Sequence, residues 1–189
     1  MMGVLVVIPA RYGSTRFPGK PLALLQGKPM IQHVYERAAA ATRADAVIVA
    51  TDDLRIAQAI ERLGGTVAMT SETARSGTER VCEVARSREA QIVINVQGDE
   101  PLIHPEMIDQ LAVYLEQHQA VPMASLMTKL TCPEDAANPN VVKVVVDREG
   151  FALYFSRAAI PHIRQDSVGS RLQARAFAFS LQLAACSVL

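Results

Sequence analysis

The chain has 189 residues, half of them hydrophobic and a fifth charged, which fits one globular domain with a sizeable core and is too short for two comfortable ones. Lys and Arg number 19, as do Asp and Glu, so the formal net charge is zero and no global field draws the chain to nucleic acid or to an anionic membrane. The first residues hold no basic n-region, no apolar run approaches the ~20 residues of a membrane span, and no pairing among Cys82, Cys132 and Cys186 suggests a disulfide framework or zinc site. The expectation is a soluble cytoplasmic protein whose reduced thiols pack as small hydrophobes.

In chain order, Val4–Ile8 is a continuous apolar run, as expected of a strand covered on both faces. Pro29 opens a helix with Met30, Ile31, Val34 and Ala38 on one side. Ala46–Ala50 is a second strand. Asp52 or Asp53 then caps a helix with Ile56, Ile60 and Leu63 inward, ended by Gly64-Gly65. Thr66–Met69 is a weaker strand, and Ser76 with Glu79 forms a capping box. Gln91–Val96 is another buried strand, and Pro105 opens a helix with Ile108, Leu111, Ala112 and Leu115 inward. Strands follow near Met123–Met127 and Val141–Val146. Asp147–Gly150 is a turn, and Phe151–Phe155 runs back as the second arm of a β-hairpin.

This alternation predicts an α/β, Rossmann-like fold: a mixed, mostly parallel sheet with helices on both faces, plus the hairpin. Ligands in such sheets bind beyond the carboxyl ends of the strands. Three segments stand there. Pro9–Lys20 brings Arg11, Arg16, Lys20, Ser14, Thr15 and two glycines together, a set suited to neutralising a triphosphate and a departing pyrophosphate. It is neither a Walker A sequence nor GxGxxG, and its bland alternative is a solvated basic loop. Ser76-Gly77-Thr78-Glu79-Arg80 opens a helix, where free N–H groups suit anions or carbonyls, or serve only as a cap. In Asn95–Pro101 the carboxylate of Asp99 follows a buried strand and suits magnesium; otherwise Asp99 or Glu100 merely caps a turn. Lys143 and Arg157 could each pair with a substrate carboxylate, or are surface cations. His33 and His104 have no partner at ligand spacing and are read as structural or solvated.

I-P-A-R-x-x-S-T-R-x-P-x-K-P-L at Ile8–Leu22, together with V-Q-G-D-E-P at Val96–Pro101, resembles the cytidylyltransferases that activate acidic sugars. N-P-N-x-V-K-V-V from Asn138 and A-L-Y-F-S-R-x-x-I-P from Ala152 are more similar to the branch acting on 3-deoxy-manno-octulosonate (Kdo) than to the sialic acid branch. The resemblance implies a nucleotide-diphospho-sugar transferase type of fold, CTP and Kdo as substrates, Mg²⁺ as cofactor and a homodimer. It implies nucleotide contacts from Ala10, Arg11, Ser14, Arg16 and Lys20, with Arg75, Ser76 and Gly77 beside the cytosine and Gln97 near the nucleotide. Asp99 is the implied metal ligand, Arg11, Lys20 and Asp99 the implied catalytic set, and Arg157 the implied sugar-side residue.

The motif match covers about Met2 to Pro161. Residues 1–161 are therefore expected to form the nucleotidyltransferase domain and residues 162–189 a non-matching tail, as in a truncated or frame-shifted product. Alternatives are a CMP-sialic acid synthetase-like enzyme and a CTP-binding remnant without turnover. In the tail, the alternation of Phe177, Phe179, Leu181 and Leu183 is compatible with a strand.

Overall fold

The computed structural model describes residues 2–13, 17–130, 132–160 and 177–187. The chain forms two compact units, Met1–Ala124 with Gln182–Leu189, and Ser125–Leu181.

In the first unit, β1 (Met2–Ala10) leads to a short 3-10 turn (Lys20–Leu22) and a two-residue ribbon, β2 (Leu24–Leu25) and β3 (Lys28–Pro29). Then come α1 (Met30–Ala39), β4 (Ala46–Thr51), α2 (Leu54–Glu61), β5 (Thr66–Met69), α3 (Gly77–Arg86), β6 (Ala90–Val96) and α4 (Pro105–Gln117). The parallel order is β5-β4-β1-β6. β1 pairs with β4 through Val6–Val47 and Ile8–Val49, and with β6 through Val4–Ile92 and Val6–Ile94.

Its central place explains the unbroken apolar run: every side chain from Val4 to Ile8 is buried, on whichever face it points. Leu5 and Val7 pack with Ile48, Val81, Val84 and Val93, so α3 covers that face. α1, with Met30, Ile31, Val34 and Ala38 buried, packs on β1, α2 and α4. Each of the larger apolar side chains contributes about 1.5–3 kcal/mol by leaving water.

The predicted helix starts agree with those observed to within one residue, Pro29 standing at the N-cap of α1 and not at its first position. Asp53 caps α2, accepting from the Arg55 N–H at 2.9 Å. Leu63 differs: α2 stops at Glu61, Leu63 is 43% exposed, and Ala57 completes the buried stripe with Ile56 and Ile60. All three thiols are exposed, which corrects the expectation that they pack as core hydrophobes. Cys82 lies on α3 next to Val81, and Val81 and Val84 turn inward in its place.

The remaining elements are β7 (Met123–Lys129), a short helix α5 (Pro133–Ala137), β8 (Val142–Val146), β9 (Ala152–Ser156) and β10 (Phe177–Ser187). In the second unit β8 and β9 form the expected antiparallel hairpin, with an irregularity at Val145/Val146. The Asp147 carboxylate closes its turn by accepting from the Phe151 N–H at 2.8 Å. The strand suggested by the tail's alternation exists as β10. Its Phe177–Phe179 portion pairs with β8, and Leu183–Ser187, in the first unit, pairs antiparallel with β6.

Candidate functional site

β1 and β6 are parallel neighbours, so their carboxyl ends open side by side. The residues leaving them, Pro9-Ala10-Arg11 and Gln97-Gly98-Asp99, form two walls of a cleft of about 650 Å³ in the first unit. Lys20 and the Arg75-Ser76-Gly77 entry to α3 form the rest of its polar lining with Arg80, while Phe17, Pro21 and Met30 supply apolar surface. Eight of the nucleotide-side residues singled out in the sequence thus share one cavity: Ala10, Arg11, Lys20, Arg75, Ser76, Gly77, Gln97 and Asp99. Ser14 and Arg16 lie outside the described residues.

Two glycines make this convergence possible. A Cβ on Gly98 would stand 2.7 Å from the Pro9 carbonyl oxygen and 3.3 Å from Ile31 Cδ1, so only glycine lets the β6 exit pass this close to the end of β1. Gly19 has φ 72°, donates its N–H to the Tyr12 carbonyl at 2.9 Å, and lies against the Tyr12 ring. That hydrogen bond closes the loop between Arg11 and Lys20. The Tyr12 ring is held in turn by the Arg55 guanidinium, 3.4 Å from its centroid. Arg55 grips Asp53 with Nε at 3.0 Å and Nη2 at 2.6 Å, and these bonds hold the Asp53 carboxyl below the usual carboxylate range.

At the third wall the capping box forms with a shift. Ser76 Oγ accepts from the Glu79 N–H at 3.1 Å, and Glu79 reaches back past Ser76 to accept from the Arg75 N–H at 2.6 Å. The cap and the cleft wall are therefore the same residues. Across the cavity, Lys20 Nζ donates to Asp99 Oδ2 at 2.6 Å, with both side chains about half exposed, so the pair adds little to stability. Burial raises the pKa of the neighbouring Glu100 carboxyl, the Asp99 charge raises it further, and Lys20 partly opposes both.

Asp99 is the only carboxylate among the described lining residues, and no group of three or more His, Cys, Asp or Glu side chains gathers among the described residues. A single accessible carboxylate beside a strongly cationic cavity suits magnesium, which takes one or two protein carboxylates and completes its shell with phosphate and water.

Two cations read differently in three dimensions. Lys143 is not a surface charge: it is fully buried, with Nζ donating to the carbonyls of Arg157 (2.7 Å), Val141 (2.8 Å) and Asn138 (2.9 Å). Arg80, noted in the sequence only as the end of S-G-T-E-R, is 3% exposed and lines the cleft. Its depth carries no sequence signal beyond its place one turn into an amphipathic helix. Arg157, in the second unit, is exposed, donates from Nη1 to the Pro139 carbonyl at 2.9 Å, and is not among the cleft-lining residues. His33 Nε2 shares a hydrogen bond with the Leu25 carbonyl at 2.8 Å, and His104 stands at the N-cap of α4 without a side-chain cap bond.

No helix among the described residues is long and apolar enough to cross a membrane. The chain is 55% identical over 163 residues to the 3-deoxy-manno-octulosonate cytidylyltransferase of Pelobacter propionicus, covering 86% of this chain and 64% of that one. It is 57% identical to the Idiomarina loihiensis protein of the same name, covering 87% and 66% respectively. The chain thus spans about two thirds of the length of these relatives. The solved structure of CMP:2-keto-3-deoxy-manno-octonic acid synthetase complexed with CTP superposes with a TM-score of 0.89 at 44% identity, over 97% of this chain and 73% of that one. With the cytidylyltransferase family pattern matching residues 5–183, almost the whole strand–helix framework around the cleft, this chain belongs to the cytidylyltransferase family.

Proposed function

We propose that the chain serves cytidylyl transfer from CTP to Kdo, giving CMP-Kdo and diphosphate, a cytoplasmic step toward lipopolysaccharide. The supporting observation is the gathering of Arg11, Lys20, Asp99, Gln97 and the Arg75–Gly77 wall in one cleft at the carboxyl ends of β1 and β6. The names of relatives 53–57% identical to this chain favour Kdo over sialic acid.

The anomeric 2-hydroxyl of the sugar acid attacks the α-phosphorus. A new oxygen–phosphorus bond forms, the bond to the β-phosphate oxygen breaks, diphosphate leaves and the hydroxyl proton passes to solvent. Arg11 and Lys20 neutralise the phosphates and the charge growing on the departing diphosphate. Free N–H groups where α3 begins, with Ser76 and Arg75, hold the base so that the α-phosphate faces the acceptor. Asp99 would hold magnesium, which when bound polarises the phosphate oxygens. Arg157 is assigned to the sugar side, and the assembly to a homodimer, on family resemblance.

The test is diphosphate release from CTP and Mg²⁺ with Kdo, with sialic acid and with no acceptor, alongside Asp99→Ala. Release that depends on Kdo and disappears in Asp99→Ala supports the proposal. Equal release by the variant removes Asp99 from the mechanism. CTP binding without turnover on any acceptor leaves a nucleotide-binding protein and overturns the transfer step.

A further inference from the structure

We infer that Arg80 is a positioning residue for the base side of the cleft, acting through the segment from Thr70 to Gly77. The inference rests on the reading of Arg75–Gly77 as the wall that meets the nucleobase. Arg80 sits on α3 one turn beyond that wall, and its guanidinium reaches back to three places. Nη1 donates to Thr70 Oγ1 at 2.6 Å and to the Ser71 carbonyl at 3.2 Å, and Nη2 donates to the Asp52 carboxylate. Asp52 follows β4. Thr70 follows β5 and is itself tied to β4, its N–H donating to the Thr51 carbonyl at 2.8 Å. One buried fork therefore gathers the carboxyl ends of two strands and the start of the loop that runs to the wall.

The loop is held at its other points too. Glu83 accepts from the Ser71 N–H at 3.1 Å, and Glu79 accepts from the Arg75 N–H. Arg80 thus fixes where the loop begins and the cap of α3 fixes where it ends, which leaves Arg75, Ser76 and Gly77 a single path along the cleft. A buried ion pair is a poor device for stability alone, because apolar residues of similar volume serve as well. What a planar guanidinium adds is a fixed angular relation between its acceptors, which an ammonium does not reproduce. Errors of about an ångström in such a wall weaken recognition strongly.

The experiment compares the chain with Thr70→Val and Arg80→Lys. Thr70→Val deletes one acceptor at nearly constant shape, and Arg80→Lys keeps a cation for Asp52 while losing the fork. Calorimetric Kd values for CTP and UTP are measured beside the thermal midpoint. The expected result is that both variants bind CTP about tenfold more weakly and lose part of the CTP-over-UTP preference, with Thr70→Val melting within a few degrees of the parent. Unchanged CTP affinity and preference in both variants, whatever their melting points, would make Arg80 a fold anchor only and overturn the inference. A parent chain that does not favour CTP over UTP overturns the base-wall reading itself, and the inference with it.

Discussion

Lys143→Met removes a fully buried ammonium while keeping most of its volume. The three carbonyls it serves stand at the open end of the β8–β9 hairpin: Asn138 and Val141 precede β8, and Arg157 follows β9. A buried acceptor left without its donor costs ~1–3 kcal/mol. Asn138 and Val141 are only half-buried and Arg157 is exposed, so water reaches these sites and the lower end applies, about 3 kcal/mol for the three. Replacing a desolvated charge with a thioether offsets part of this, for a net loss of roughly 2 kcal/mol. In a chain of this size that lowers the melting temperature by about 4–8 °C, measurable by scanning calorimetry. If Lys143 instead met the carboxylate of a sugar acid, the melting point would hold within about 1 °C and Kdo-dependent diphosphate release would fall. That pair of results would refute the assignment of Lys143 as a structural clamp.

Gly98→Ala puts a methyl group 2.7 Å from the Pro9 carbonyl oxygen, and backbone on both sides must move. The expected cost is about 1–3 kcal/mol in a urea titration, with weaker CTP binding, because Ala10 and Asp99 flank the displaced turn; parental values on both counts would show that the strands do not need to approach so closely. Asp109 ties the residues after α1 to α4, accepting from the N–H groups of Arg43 (2.8 Å) and Thr42 (3.1 Å) and from the Thr42 hydroxyl (2.9 Å). Burial raises its pKa, but these hydrogen bonds outweigh burial and leave it below the usual aspartate range. The folded state therefore gains stability above the ordinary aspartate pKa and loses it as pH falls through the depressed value. Asp109→Asn should be less stable than the parent at neutral pH, with the gap closing in acid; a gap that stays constant from neutral to strongly acidic pH would remove the ionised carboxylate from the account.

The parallel sheet was legible because burial on both faces leaves continuous apolar runs at Val4–Ile8 and Gln91–Val96, and because Asp53, Ser76 and Pro105 mark helix starts with local chemistry. Two walls of the cleft were legible for a related reason, since Pro9–Arg11 and Gln97–Asp99 follow directly from strand ends. Tertiary depth was not. Nothing local distinguishes Lys143, sealed by carbonyls 14 residues away at Arg157 and nearer at Asn138 and Val141, from an exposed strand lysine. Nor does S-G-T-E-R reveal that its arginine turns inward to Asp52, 28 residues upstream, while Cys82 turns out. The short helix Pro133–Ala137 escaped because five residues give too little periodicity to detect.

The pairing of β6 with Leu183–Ser187 has a consequence for synthesis on the ribosome. β6 is complete at Val96, whereas the strand that covers its free edge begins its contact at Leu183, roughly 87 residues later; at about 5–20 residues per second that is a delay of ~4–17 s. Throughout this interval a nascent first unit, with its cleft residues already made, presents an apolar strand edge with unpaired N–H and C=O groups. During that window the edge is open to another nascent chain on the same messenger or to a chaperone, so yield of folded protein depends on how quickly β10 is delivered.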